Sequence, residues 1–415
     1  MDSTVYLSLF GGYGIEIEYM IVDRRSLCVL PVSDQLISSV AGAMVNEVAR
    51  GEIAWSNELV LHVIELKTNG PARSVADLPE LFLENVRDIN TRLEAMHGML
   101  MPTGMHPWMD PYSETRLWNH DNREIYDAYN RIFNCQGHGW SNLQSMHINL
   151  PFANDREFAL LHDAIRILLP VLPALAASTP YADGGFTGTM DTRLEVYRQN
   201  AKRIPSITGF VVPEAVSSEQ EYHTAILQPM YRDIAPHDPE GVLQDEWLNS
   251  RGAIARFDRH AIEIRILDTQ ETPTADLAIA AMIISVLKSL VEGTWSEPRR
   301  LVQISTPILA RMFLDFVANA DEGIVDNREF LEIFSFPDRK CNGKEFWQYL
   351  RETVAFEGED NPLLVPALDH ILRMGPLARR MIRATGKDVK RSHLEEVFRR
   401  LCGCLEEGEM FQGID

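Results

Sequence analysis

The stretch "GGYGIEIEY", Gly11 to Tyr19, decides how this chain folds. Residues two apart on a strand share a face, so Ile15, Ile17 and Tyr19 form one side and Glu16 and Glu18 crowd the other. Two neighbouring carboxylates repel unless positive charge lies between them. The stretch therefore predicts a half-buried strand that also needs a cation.

Three further runs carry the same pattern. In "SMHINLPF" (145–152), Met146, Ile148 and Leu150 oppose His147 and Asn149. In "HAIEIRILDTQ" (260–270), Ile262, Ile264 and Ile266 oppose Glu263 and Arg265. In "LHVIELKTNGP" (61–71), Glu65 and Lys67 lie with Val63, opposite His62, Ile64 and Leu66. For any single strand, a wet sheet face explains such alternation. Four strands bearing acids, an imidazole and two cations point instead to one functional face. Carboxylates with little nitrogen or sulfur select Mg²⁺ or Mn²⁺ over zinc. The added Arg and Lys suggest an anion, and metal-bound phosphate is the common case.

Around these strands the sequence reads as helix. Leu78, Phe82, Val86, Ile89, Leu93 and Met96 recur at helical spacing over 78–97, ending near Gly98. A second helix is expected over 156–177, bent at Pro170 and Pro173. A third is expected from an N-cap at Thr274 to about Gly293. The predicted class is α+β, a largely antiparallel sheet with helices on one face. We place a catalytic domain at 1–295 and a helical C-terminal region at 296–415 packed on it.

Composition narrows the function. The 415 residues are 45% hydrophobic, and 39 basic against 60 acidic residues give a net charge of −21. That balance opposes nucleic-acid and anionic-membrane partners. Cys28, Cys135, Cys341, Cys402 and Cys404 form no paired framework, and "CGC" (402–404) lacks a second pair. A reducing cytoplasm is the expectation. "MDSTVYLSLFGG" lacks a signal-peptide pattern, and "LAIAAMIISVLKSL" (277–290) reads as a buried helix too short for a membrane. No GxxxxGK[ST], complete GxGxxG, HExxH, CxxC pair or GxSxG occurs.

In chain order, "GYGIEIEYMIVD" (12–23), "ELVLHVIELKT" (58–68), "QSMHINLPF" (144–152) and "AIEIRILDTQETP" (261–273) resemble the glutamate–cysteine ligase type 2 family of carboxylate–amine ligases. "STPYADGGFTGTMDTR" (178–193) is similar to that family's substrate loop. The resemblance covers residues 10 to 275. It implies a glutamine-synthetase-like catalytic fold, whose curved antiparallel sheet carries metal-bound ATP on its concave face. It implies that ATP phosphorylates a glutamate γ-carboxylate and that the cysteine amine displaces phosphate, a step in glutathione biosynthesis. Two or more Mg²⁺ or Mn²⁺ ions would serve with ATP as co-substrate. The implied partners are small molecules, ATP, an amino-acid carboxylate and an amine, with a homo-oligomer left open.

The same resemblance assigns Glu16, Glu18, Glu58, Glu65, His147 and Glu263 to metal. It assigns Arg193 and Arg265 to catalysis, with Arg265 near the phosphates; Lys67 and Asn149, on the same polar face, are further ATP-binding candidates that the resemblance itself does not assign. Ser178, Thr179, Gly184, Gly185, Gly188 and Thr192 fall on the substrate loop, with Ser178, Thr179 and Thr192 departing from the family's usual residues. Glu58 and Glu65, seven apart, cannot share a face of one straight strand, so a turn must intervene or Glu58 is structural. His62, His106 and His138 are expected to be packing or loop residues. A metal-dependent hydrolase, a ligase of another acid and amine, and an inactive relative are the alternatives.

Overall fold

The structure, a computed structural model, describes residues 6–414, so Met1–Val5 of the segment read for a signal peptide lie outside the described residues. Eight strands form one antiparallel sheet: β1 Gly14–Asp23, β2 Glu47–Arg50, β3 Ile53–Asn57, β4 Val63–Thr68, β5 Gly98–Met101, β6 Ser145–Pro151, β7 Ala253–Arg256 and β8 Ala261–Asp268. Their order is β2-β3-β4-β1-β6-β8-β7, and β5 joins the far half of β1. Ten-residue β1 is central because it pairs β6 through Gly14–Ile17 and β5 through Met20–Asp23.

The register produces the two-faced sheet expected from alternation. Ile15, Ile17, Tyr19, Ile64, Met146 and Ile148 are fully buried on the core side. On the other side Glu16 stands opposite Lys67 and His147, Glu18 opposite Glu65, and Asn149 opposite Glu263. A one-residue slip would send the carboxylates into the core, so burial of the apolar face fixes the register. Close strand approach adds a constraint, since a Cβ at Gly14 would meet the Asn149 Cβ at 2.9 Å.

Three helices cover the apolar face: α1 Leu78–Glu94, α2 Asp155–Leu168 and α3 Pro273–Glu292. Helix α1 stops at Glu94 and Gly98 opens β5, so the last apolar residue of the run, Met96, lies in a turn. After α2 the chain bends through Leu169–Val171 into Pro173–Ala176, at the two prolines. Helix α3 begins two residues earlier than expected. Thr272 takes the N-cap position and Pro273 the first turn, where its missing N–H costs nothing. At 20 residues α3 is long and apolar enough to cross a membrane, unlike the 277–290 run alone. Its most apolar window is 89% buried inside the protein, which makes it the central core helix. Each Leu or Ile buried there contributes about 1.5–3 kcal/mol.

Residues beyond 296 form helices that share this core. Helix α4, Leu364–Met374, packs along α3. The Trp347 indole N–H donates to the Val171 carbonyl at 2.9 Å. Arg380 pairs with fully buried Glu271, just past β8. Cys402 and Cys404 are free thiols buried on the helix Arg391–Glu407.

Candidate active site

The polar face of β1, β4, β6 and β8 is the floor of the site. His147 sits at its centre. Its Nδ1 lies 3.0 Å from Glu16 Oε2 and 3.5 Å from Glu263 Oε1. Its Nε2 lies 2.8 Å from Ser145 Oγ and 3.9 Å from Glu18 Oε1. Two sets of potential metal ligands result, Glu16–His147–Glu263 and Glu18–Glu65–His147, each with ligand atoms within 4.8 Å of one another. The neighbours hold the carboxylates in place. Asn149 Nδ2 donates to Glu16 at 3.1 Å, the Ser145 backbone N–H to Glu18 at 2.8 Å, and Ser56 Oγ to Glu65 at 2.6 Å.

Glu58 joins this group from outside the strands. Strand β3 ends at Asn57 and the chain turns before β4, so the seven-residue spacing is bridged by a turn. Burial, with Glu18, Glu65 and Glu16 around it, pushes the Glu58 carboxyl well above the usual range. Burial and the Glu16 charge likewise raise Glu65 to about 7. Glu16 itself behaves differently. Burial works against its charge, but the hydrogen bond and charge of His147, aided by Lys67 and Arg259, hold it at about 2. His147, despite its own burial, is raised to about 9 by Glu16, Glu18 and Glu263. The repulsion anticipated between Glu16 and Glu18 therefore falls on Glu65 and Glu58. Five carboxylates against Lys67, Arg265 and His147 leave excess negative charge with oxygen donors, the donor set of a hard divalent cation.

Two cavities open from the floor. The larger, about 590 Å³, reaches Glu18, Glu58, Glu65, His147, Arg193 and Arg265. The smaller, about 420 Å³, reaches Glu16, Asn149 and the backbone at Gly12, Gly14 and Gly70. Glu47, Lys67 and Arg259 line both, so the cavities meet beside the carboxylates. Lys67 is held there by Glu47 at 2.7 Å and Glu65 at 3.3 Å. Arg265 Nε lies 3.0 Å from Glu263 Oε1.

Arg193 enters from a separate element and is almost wholly buried. Its Nε donates to Asp268 Oδ1, its Nη2 is buried without a protein partner, and the residue lines the larger cavity. Burial disfavours the guanidinium charge, and Asp268 with Asp191 outweighs that cost. Asp268 also accepts from the Ser178 backbone N–H at 2.8 Å and Thr179 Oγ1 at 2.9 Å. Ser178 and Thr179 thus brace Arg193 from inside the protein. Gly184 and Gly188, with φ of 79° and 93°, shape the turns of the loop, and Thr192 Oγ1 ties it to Thr187 at 2.6 Å. Gly184, Gly185 and Gly188 line neither cavity.

His62 and His106 are buried on backbone carbonyls of Ser141 and Leu27, and His138 pairs with Asp183 at 3.1 Å. Asp268 escaped the sequence reading because a bulge intervenes. The β8–β6 register shifts between Ile264 and Leu267, which returns Asp268 to the site face, opposite Ser145. Strict alternation would point it into the core. Ser145 and Ser56, by contrast, follow from period two on their own strands. Arg256, Arg259 and Tyr197 come from segments whose cavity role no local pattern announces.

The profile of glutamate-cysteine ligase family 2 (GCS2) matches residues 13–303. The chain belongs to this family and is an ATP-dependent carboxylate–amine ligase. An uncharacterized protein from Archaeoglobus fulgidus is 39% identical over 280 residues, 67% of this chain and 74% of that one. A provisionally named glutamate–cysteine ligase 2-1 from Nocardioides sp. is 25% identical over 290 residues, 69% of each chain. Among solved structures, the glutamate–cysteine ligase of Francisella tularensis in complex with AMP superposes with a TM-score of 0.60 at 11% identity. That match covers 95% of this chain and 88% of that one, a likeness of fold.

Proposed function

We propose that the chain joins the γ-carboxylate of glutamate to the amine of an amino acid, with ATP converted to ADP and phosphate. Cysteine is the acceptor carried by the family's name. The observation that carries this reading is the pair of carboxylate sets sharing His147, with Arg193, whose Nη2 has no protein partner, lining the adjoining cavity. Glu16, Glu18, Glu65, His147 and Glu263, with Glu58 beside them, fit Mg²⁺ or Mn²⁺. Such ions, when bound, supply charge neutralisation between phosphates and an attacking carboxylate.

The chain's own groups do the rest. Lys67 and Arg259, at the junction of the cavities, receive the phosphate chain, with Asn149 and the Gly12–Gly14 backbone toward the nucleoside side. Arg193 and Arg265 stabilise charge on the phosphoryl group as it passes to the carboxylate oxygen. ADP leaves, and the acyl-phosphate must then be shielded from water. The amine nitrogen forms the C–N bond as the C–O bond to phosphate breaks, and the amine gives up its proton to solvent. The loop 181–189 is our candidate for closing the site.

The test is ADP release by purified protein with Mg²⁺ and glutamate while amino acids are added singly. Amino-acid-dependent release is expected. Its absence throughout overturns the reading.

A further inference from the structure

The wall of the larger cavity differs in character from its floor. Tyr126, Tyr129, Trp140 and Trp247 line it, half-buried, together with Ile125 and Tyr197. Tyr129, Trp140 and Trp247 form one connected surface. Tyr129 lies 5.1 Å from Trp140 and 5.9 Å from Trp247 between centroids, both tilted, and Phe133 stacks behind Trp140 at 5.4 Å. Asn57 Nδ2 donates to the Tyr126 hydroxyl at 3.0 Å, which fixes that ring next to Glu58. The surface begins at the acidic floor and runs outward along the cavity.

A thiol side chain would leave most of this surface in contact with water. Half-buried aromatic rings gain most from a flat partner in offset or edge-to-face contact. A volume of about 590 Å³ lies in the range that holds drug-sized ligands. The nucleoside has the smaller cavity available, on the other side of the shared Lys67 and Arg259.

We propose that the amine acceptor carries an aromatic ring, seated against Tyr126, Tyr129, Trp140 and Trp247, and that this wall sets acceptor specificity. The proposal rests on the ligase reading above and replaces cysteine as the preferred amine.

The test is steady-state ADP release with glutamate and Mg²⁺ across cysteine, alanine, leucine, phenylalanine, tyrosine, tryptophan and phenylethylamine. At least one aromatic amine is expected to exceed cysteine tenfold or more in kcat/KM, the scale on which apolar pockets discriminate. Trp140→Ala should raise the KM of that amine tenfold or more and leave the KM for ATP within twofold, which also shows the variant is folded. Trp140→Phe should recover most of the loss. Best turnover with cysteine, alanine or leucine, or a Trp140→Ala variant with both KM values unchanged, overturns the aromatic acceptor while leaving the ligase reading standing. A rise in the KM for ATP with the amine KM unchanged also overturns it, by giving the wall to the adenine. No ADP release with any amine defeats the ligase reading itself.

Discussion

The floor and the wall of the larger cavity are built by different means. The floor is a set of side chains two residues apart on paired strands, held by sheet register and by one another. The wall and its arginine come from loops and short helices, and each group needs a separate anchor, as Arg193 needs Asp268. A floor residue is therefore replaceable without loss of the fold, because the apolar face beneath it carries the stability. Replacing a buried anchor such as Asp268 costs stability as well as activity.

Four substitutions probe that contrast, from the largest effect to the smallest. Glu16→Gln removes a carboxylate shared by the first ligand set and by Asn149. ADP release should fall about 10³-fold, the scale of losing a preorganised charge, with a circular dichroism spectrum like wild type. Full turnover in this variant would remove Glu16 from the metal set. Asp268→Asn leaves the Arg193 charge buried without its partner. It should lower stability by about 3 kcal/mol in denaturant unfolding and reduce kcat about 100-fold. A stable variant with normal kcat would show that Arg193 needs no anchor. Lys67→Ala should raise the KM for ATP about tenfold, with a smaller change in the KM for glutamate, since one charged hydrogen bond contributes about 1.5–3 kcal/mol.

The smallest effect concerns pH. The Glu65 carboxyl is raised from its ordinary value to about 7, so above that ordinary value the folded state holds a proton that the unfolded state has lost. Stability in chelator should fall as pH rises from about 4.5 to about 7. Glu65→Gln should flatten that slope and raise Tm at pH 8 by about 2 °C. An unchanged slope would place the unfavourable charge elsewhere on the floor, with Glu58 next in line.

The floor was legible because alternation is local. Once Ile15, Ile17 and Tyr19 are read as core, Glu16 and Glu18 must face away, and the same holds for His147, Glu65 and Glu263. Helix starts were less legible. The N-cap of α3 falls at Thr272 because Pro273 fits the first turn, and periodicity alone does not register that preference. Asp268 was hidden by the bulge in β8, where the chain leaves the period on which the reading depended.

The sequence by itself determined the antiparallel sheet, its apolar and acidic faces, and the family to which the chain belongs. Those follow from side-chain spacing along single strands and from motifs in order. Only the tertiary structure decided which carboxylates bear the repulsion. That balance depends on distances across strands: His147 offsets the charge of Glu16 from β6, while Glu58 reaches Glu65 around a turn. Tertiary structure also decided that Asp268 braces Arg193 and that four distant aromatic residues form one wall, because such contacts join segments with no shared period.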